Sequence, residues 1–590
     1  MITTARHSLS HILAQAVKAL YGNDGKMAIG PDIENGFYYD FDFGNIEFKE
    51  EDLKTLEKKM KQIIKQNQKF EQYDLDFLEA RDYLSSQGEE YKVEMCEELF
   101  AKGNAKISFY KNIMQNGETS FIDMCSGPHV DNTNKIDENA FCLEKIAGAY
   151  WKGDASKKML TRIYGLAFET REELDNHIKM LEEAKKRDHR ILGKKLKLFT
   201  ISEMVGAGLP LIQPAGMIIR KEIEDYLWNL HKKHGYQRIW SPHLAREDLY
   251  ITSGHAGHYL EDMFSVFGGT SKEKFHLKPM NCPHHMQIFA DNQFSYRDMP
   301  VRYFEPATVY RDEKTGQLSG LTRVRSITQD DGHLFCRVSQ IKQEVKIITD
   351  IIKEFYSTMG LLDNYWVSLS VRDEEDKSKY LGSDEVWEKA ENALEEAAKL
   401  NDLPYKRMPG EAAFYGPKLD FMFKDCIGRE WQLATIQCDF NLPERFKLNF
   451  TNEQGNDERP VVIHRAISGS LERFMGIIIE HFAGAFPLWL SPRQVAIIPV
   501  AEKFEDYGKN LDEKLKDLDI RSKVDFSSDS FSKKIRNAEM DKYNYVAIVG
   551  EQEMQNKTVS VRNVRTKEQF TLSLDEFISK LSEEIRSKSL

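Results

Sequence analysis

The sequence predicts a multidomain α+β protein that closes with a small α/β domain, and three observations lead there. Its 590 residues suffice for about four domains of ~150 residues each. It is 41% hydrophobic and 30% charged with only 17 Pro, a balance that builds packed cores and excludes collagen-like, disordered and low-complexity classes. Its texture also changes abruptly at two places, VGAGLPLIQPAG (205–216) and LSPRQVAIIPV (490–500).

Residues 1–20 place Leu9, Ile12, Leu13 and Ala16 at helical spacing, with His7 and His11 one turn apart. A turn at GNDGK precedes an aromatic strand, GFYYDFDF, and residues 47–66 form a charged amphipathic helix. A mixed region reaches about residue 172. Residues 173–195 then read as one basic helix, a rigid connector. Beyond the Gly/Pro-dense stretch, Ile219, Ile223, Leu227 and Leu230 mark a helix, and YQRIWSP a strand stopped by Pro242. From 490 an apolar strand of parallel type opens an alternation of helix and strand patterns over about 100 residues. The predicted domains are 1–172, 173–195, 196–489 and 490–590.

The longest apolar stretch, Gly476 to Leu490, is broken by Glu480, His481 and Pro487 and falls short of the ~18 apolar residues of a membrane span. The N-terminus lacks a signal-peptide cleavage pattern. Seven scattered cysteines imply no disulfide framework and point to a reducing cytoplasm. A net charge of −12 argues against a nonspecific nucleic-acid coat. Local basic strips remain at 177–197, with eight Lys/Arg against three Asp/Glu, and at 531–536. Taken alone, each reads as a solvated face as readily as a phosphate track.

The segment from Arg302 to Phe335 carries the densest chemistry. Arg311 and Glu313 lie two apart before a Gly-containing turn, and Arg323 and Arg325 two apart after it. If both sides are strands, each pair projects to one face. Guanidinium forks on one face suit a nucleoside triphosphate. Arg473 opens a further apolar helix.

These features resemble the three signature motifs of class II aminoacyl-tRNA synthetases: residues 217–242, Arg311-Asp312-Glu313, and Gly469 to Arg473. KPMNCP (278–283), RVRSITQDDGH (323–333), FYGPKLDF (414–421) and HRAISGSLERF (464–474) resemble the bacterial threonyl-tRNA synthetases more closely still, and the resemblance runs the length of the chain. It implies an antiparallel-sheet catalytic domain, an N-terminal α+β editing domain and a C-terminal α/β anticodon-binding domain. Arg311 would bind the α-phosphate of ATP, Arg473 the γ-phosphate, and Glu313 the adenine amino group, with Arg323 among the ATP residues and Mg²⁺ accompanying the nucleotide. Catalysis would be positioning and charge stabilisation, with no covalent group. Gln329, Tyr415, Lys418, Gln437, Ser470 and His255 would complete the substrate pocket.

The same resemblance implies that Cys282, His333 and His464 hold one zinc ion. Their separations of 51 and 131 residues match no compact finger, and His284, His285 and Cys336 are rival ligands in the sequence. Three protein ligands leave the metal open for the amino and hydroxyl groups of L-threonine, with Asp331 accepting from the hydroxyl. Valine, lacking the hydroxyl, would be strongly rejected. Serine loses only a methyl, worth roughly 1–3 kcal/mol, so a second site must remove it.

That site is implied at the N-terminus. His7 and His11, with Asp123, Cys125 and His129 of DMCSGPH and Lys92 of YKVE, resemble the editing residues of these enzymes and of alanyl-type deacylases. Alone, the His pair reads as surface or core. The alanyl relatives use a zinc in this position; here metal-free general-base hydrolysis of seryl-tRNA is expected. Glu553 and Arg562 match positions that read anticodon bases of threonine tRNA. Motif 1 suggests a homodimer. Many bacterial relatives begin with a ubiquitin-like domain, whereas this sequence opens directly at the editing helix; aminoacylation is expected to survive without that domain. Rival readings are a prolyl- or seryl-type ligase and a noncatalytic RNA-binding paralogue.

Overall fold

The computed structural model describes residues 2–154, 156–270 and 272–590. They form two compact units that divide between Glu182 and Glu183.

The first unit is built on α1 (Ile2–Tyr21), whose Leu9, Ile12, Leu13, Ala16 and Val17 are fully buried, each large aliphatic contributing about 1.5–3 kcal/mol of transfer free energy. They pack on β1 (Gly36–Asp42), the aromatic strand, and on α2 (Asp52–Lys65). The chain continues through β2 (Lys69–Asp76), α3 (Glu90–Ala101), β3 (Lys106–Ile113), β4 (Thr119–Met124), β5 (Phe141–Tyr150) and β6 (Met159–Ala167). Strands β1, β6 and β5 pair antiparallel in one sheet, and β2, β3 and β4 in another. Tyr39 on β1, Asp123 on β4 and Lys92 on α3 converge beside α1.

The predicted single connector helix is two: α4 (Arg171–Arg187) and α5 (His189–Lys195). Asp188 breaks it, leaving helical dihedrals (φ −48°, ψ 118°) and accepting a hydrogen bond from the Arg190 amide. A short carboxylate that competes for backbone donors favours such a cap over a helix interior.

The second unit contains α6 (Pro214–Lys232), α7 (Cys282–Ala290), β7 (Val301–Tyr310), β8 (Ser326–Cys336), α8 (Ile341–Thr358), β9 (Tyr365–Val371), β10 (Lys418–Lys424), β11 (Glu430–Asp439), β12 (Val461–Ser470) and α9 (Leu471–His481). The central order β7-β8-β12-β11-β10-β9 is antiparallel throughout. Two short strands, Gln237–Arg238 and Tyr405–Pro409, add parallel edges. The apolar faces of α6, α8 and α9 cover one side of the sheet, leaving the other for a cavity.

Two expectations change here. In YQRIWSP only Gln237–Arg238 pair, and Trp240 is 73% exposed. The arginine pairs do not sit on strands, because β7 ends at Tyr310 and β8 begins at Ser326. The intervening loop folds on itself, with Ser319 bridged to Arg323 and the Arg325 amide bonded to the Gly208 carbonyl at 2.7 Å. Loop hydrogen bonds, not strand alternation, therefore aim those side chains.

The C-terminal part aligns β13 (Val495–Pro499), β14 (Ser522–Val524) and β15 (Tyr545–Val549) in parallel, as the apolar strand predicts, and adds the antiparallel hairpin β16 (Thr558–Asn563) and β17 (Gln569–Ser573). Arg521 ties it to the catalytic sheet's helix layer through Glu222 of α6 at 2.6 Å and the Trp489 carbonyl at 2.6 Å. No helix among the described residues is long and apolar enough to cross a membrane.

Candidate functional site

On the open face of the eight-stranded sheet, a cavity of about 520 Å³ is lined by Cys282, Arg311, Glu313, Arg323, Gln329, Asp331, His333, Tyr415, Gln437, His464, Ser470 and Arg473. Twelve residues spread over nearly 200 positions thus share one space, because β8, β12 and β11 are adjacent. Of the expected substrate residues, Lys418 and His255 do not line it. Lys418 forms an ion pair with Asp420, and buried His255 lies behind Cys282, its Nε2 3.7 Å from Sγ.

The charged end is arranged by the loop and by α9. Arg323 pairs with Glu313 at 2.8 Å and reaches Gln317 at 3.0 Å, so the Glu313 carboxylate is partly engaged. The guanidinium of Arg311 has no partner among the described residues. Ser470 caps α9 by accepting from the Arg473 amide at 3.2 Å, and Arg473 Nε donates to the Thr322 carbonyl at 3.1 Å. Burial and the nearby Arg323 both lower the Arg473 pKa, which marks a concentration of positive charge awaiting an anion.

At the other end Cys282, His333 and His464 bring their ligand atoms within 4.8 Å of one another. Register does this: His333 and His464 are directly paired on β8 and β12. Hydrogen bonds fix their tautomers. The Asp439 carboxylate can only accept, so His464 carries its proton on Nε2 (2.9 Å) and a lone pair on Nδ1. Likewise Glu305 accepts from His285 Nε2 at 2.9 Å, so His285 Nδ1 accepts from His333 Nδ1 at 2.7 Å, leaving His333 Nε2 bare. The two bare nitrogens face each other at 3.0 Å. Lone pairs so placed repel unless a cation lies between them. A proton is opposed, since burial and the neighbouring His464 drive His333 well below the ordinary imidazole range. Cys282 is buried, and burial together with Asp331 and Asp439 pushes its thiol well up, so only a metal would make it a thiolate. One sulfur and two nitrogens, the outer nitrogen of His464 held by Asp439 and that of His333 by His285, fit Zn²⁺.

Of the rival ligands, His285 supports His333 from outside, and Cys336 lies in the core with Cys438. His284 is buried against Tyr250. The sequence did not reveal Glu305, Asp439 or Asn281, which donates to Asp331 Oδ2 at 2.9 Å. Strand register places Glu305 and Asp439, and Asn281 stands at the start of α7.

The first unit holds a separate cavity of about 650 Å³ lined by His7, His11, Lys92, Asp123 and Cys125, and by Tyr39, which sequence reasoning missed. Cys125 Sγ lies 3.3 Å from both His7 Nε2 and His129 Nε2. Lys92 pairs with Asp123 at 2.9 Å, and Tyr39 donates to Asp123 at 2.8 Å, all three buried. His11 bonds Asn112 at 3.1 Å. His129 faces instead a second cavity of about 530 Å³ behind α1. Burial pushes Cys125 up to about 11 and holds His11 near 3 and His129 near 2, so at neutral pH these are a thiol and two neutral imidazoles. His7, also lowered by burial, is the least desolvated base. His7, Cys125 and His129 could also hold a metal ion.

In the C-terminal domain Glu553 accepts from the Gly550 amide at 3.0 Å and from Ser560 at 2.7 Å. Arg562 pairs with Glu539 at 3.0 Å. Both side chains are engaged within the chain.

The antiparallel sheet, with its arginine loop and the Ser470-capped helix bearing Arg473, defines the catalytic core of a class II aminoacyl-tRNA synthetase. Residues 265–482 match the family of tRNA synthetase class II core domains (G, H, P, S and T). Residues 494–584 match the anticodon binding domain, and 112–164 the threonyl and alanyl tRNA synthetase second additional domain. The threonine–tRNA ligase of Cytophaga hutchinsonii is 44% identical over 99% of this chain and 88% of its own, and that of Gloeobacter violaceus 46% identical over 99% and 92%. A crystal structure of the RNA binding domain of threonyl-tRNA synthetase from Cryptosporidium parvum Iowa II superposes with a TM-score of 0.64 at 38% identity, covering 67% of this chain and 98% of that one. The chain belongs to the threonine–tRNA ligase family.

The lowered imidazoles set a pH dependence of stability. Below about pH 6.5 the unfolded chain binds protons that folded His11 and His129 refuse, so stability is full above that pH and falls as pH drops toward 3. At pH 5 each group costs on the order of 1–2 kcal/mol. Calorimetry should show the thermal midpoint falling from pH 7 to pH 5, and less steeply in His129→Gln.

Proposed function

We propose that the protein ligates L-threonine to threonine tRNA through a threonyl-adenylate at the expense of ATP, and hydrolyses seryl-tRNA mischarged on the same tRNA. The observation that carries the reading is one cavity holding, at opposite ends, three arginines, of which Arg311 has no partner among the described residues, and a buried Cys-His-His cluster whose inner nitrogens face each other as a cation's ligands would. Family membership supports it.

Arg311 and Arg473 bind the α- and γ-phosphates, holding the triphosphate bent for in-line attack by the amino-acid carboxylate. Arg323 orients Glu313, which leaves the latter's second oxygen for the adenine amino group. Mg²⁺ enters with ATP. Cys282, His333 and His464 hold one zinc, which when bound acts as a Lewis acid on the amino and hydroxyl groups of threonine. Asp331, fixed by Asn281, accepts from that hydroxyl, so a substrate without it leaves a buried carboxylate unpaired. Gln329, Tyr415, Gln437 and Ser470 shape the remaining wall. His255 acts from behind Cys282, and Lys418 through Asp420.

In the editing cavity His7 takes a proton from water, as the imidazole nearest the cavity mouth. Lys92, Asp123 and Tyr39 form a buried network that positions the ester. Cys125, as a neutral thiol, and His129 fix the His7 ring. His11 is held by Asn112. We assign the regions 1–172, 173–195, 196–489 and 490–590 to editing, connection, catalysis and anticodon binding. Glu553 and Arg562 read anticodon bases by exchanging their internal partners for base edges. The exposed apolar residues around motif 1, Met204 at 99%, Trp240 at 73%, and Leu211, Met217 and Leu244, support a homodimer closed over this face.

The purified protein should carry about one zinc per chain; two would place a metal with His7, Cys125 and His129. ATP–pyrophosphate exchange should be fast with threonine, slower with serine and absent with valine, and chelation should abolish the threonine-dependent exchange. His7→Ala or Lys92→Ala should slow seryl-tRNA hydrolysis at least 10²-fold while leaving exchange intact; an unchanged hydrolysis rate would remove the editing assignment. Light scattering should give the mass of a dimer, and Trp240→Glu that of a monomer.

A further inference from the structure

Behind the arginine loop, where the connector enters the catalytic unit, stands a buried histidine that none of the roles above uses. His189 opens α5 and is 3% exposed. Its Nδ1 lies 2.6 Å from Glu480 Oε1, and its own amide donates to the same oxygen at 3.1 Å. A carboxylate only accepts, so Nδ1 carries the proton and Nε2 is an acceptor. That acceptor receives the amide of Leu321 at 3.0 Å. Leu321 and its neighbour Thr322 belong to the loop between Arg311 and Arg325, and the Thr322 carbonyl receives Arg473 Nε at 3.1 Å. Glu480 and Arg473 sit on the same helix, α9, two turns apart.

The arrangement is a closed frame: α9, Glu480, His189, the Leu321 amide, the Thr322 carbonyl, Arg473, and α9 again. Two absent side chains permit it. A Cβ at Gly320, whose φ is +49°, would stand 2.1 Å from His189 Nε2. Gly476 of α9 faces Thr322, Leu321 and His189, and a Cβ there would meet all three at 3.3–3.6 Å. Asp188, His189 and Glu480 also lie close enough to suggest a metal site. Both nitrogens of His189 are already committed, one as donor and one as acceptor, which leaves no lone pair for a metal.

We propose that His189 is a positioning residue for ATP: it fixes the Leu321–Thr322 segment against α9, and thereby holds Arg473 and the arginine loop at the spacing that receives the triphosphate. It touches no substrate. A bifunctional, rigid ring suits the task, because it spans from a carboxylate to a backbone amide without a rotatable joint between donor and acceptor. The inference rests on the ATP-binding role proposed for Arg473.

The test is threonine-dependent ATP–pyrophosphate exchange on the full chain, with KM for ATP and for threonine measured separately, beside seryl-tRNA hydrolysis. In His189→Ala the KM for ATP should rise at least tenfold and kcat fall, while the threonine KM stays within twofold and hydrolysis is unchanged. His189→Gln, which can still offer an acceptor to the Leu321 amide, should recover most of the loss. His189→Asn keeps a donor toward Glu480 but lacks that acceptor, and it should match alanine; it stands in if the alanine variant does not fold. An unchanged ATP KM in the asparagine variant, or equal rises in the ATP and threonine KM, would overturn the proposal. Absence of threonine-dependent exchange in the wild-type protein would instead overturn the function on which it rests.

Discussion

The catalytic cavity of the second unit depends on the antiparallel pairing of β8 with β12. That ladder sets His333 beside His464 and Gln329 beside Ser470, so the same few hydrogen bonds establish the Cys-His-His cluster and the start of the helix bearing Arg473. A slip of one residue in either strand would turn its histidine to the helix-packed face and separate the pair. The sheet tolerates no such slip because its opposite face carries Leu334, Ile463 and Ile467, all fully buried. The apolar core therefore enforces the polar geometry: the residues that make the sheet stable are interleaved, one for one, with those that make it reactive.

The two cavities solve different electrostatic problems. In the catalytic cavity Arg311 has no partner among the described residues and the inner imidazole nitrogens face each other, so that ligands of the right sign are drawn in. In the N-terminal cavity charge is neutralised in advance. Lys92 and Asp123 compensate one another, and the histidines and thiol are neutral. Such a site offers polar groups to an ester without strong attraction for a free amino acid, which suits hydrolysis of a substrate delivered on a carrier.

Much of this was legible in the chain. The 3.6-residue spacing of Leu9, Ile12, Leu13 and Ala16 placed His7 and His11 on a helix, although α1 is buried on every side from Ser8 to Val17. The family resemblance, carried by several short blocks, pointed to Arg311, Arg473, Cys282, His333 and His464, and the structure brings these five into one cavity. What escaped was whatever depends on register or on a single backbone choice. Asp439 and Glu305 support the site from neighbouring strands and have no motif of their own, and Asn281, though inside KPMNCP, carries no sign in the sequence that it would hold Asp331. The connector read as one helix because its composition is helical throughout, and one aspartate ended it. The arginine pairs suggested strand alternation, yet the strands stop before them and the loop's own hydrogen bonds decide where they point. Lys418 and His255, expected in the substrate pocket, do not line the cavity: His255 lies behind Cys282, and Lys418 pairs with Asp420.

The distribution of the proposed metal ligands bears on how the protein is made. Cys282, His333 and His464 come from α7, β8 and β12, and no two of them are near neighbours along the chain. A nascent or partly folded chain has no local pair with which to hold an ion, in contrast to small domains whose folding is driven by metal capture. If these residues hold the proposed zinc, the ion would enter only after the sheet has closed, and a chain ending before β12 would lack the complete site.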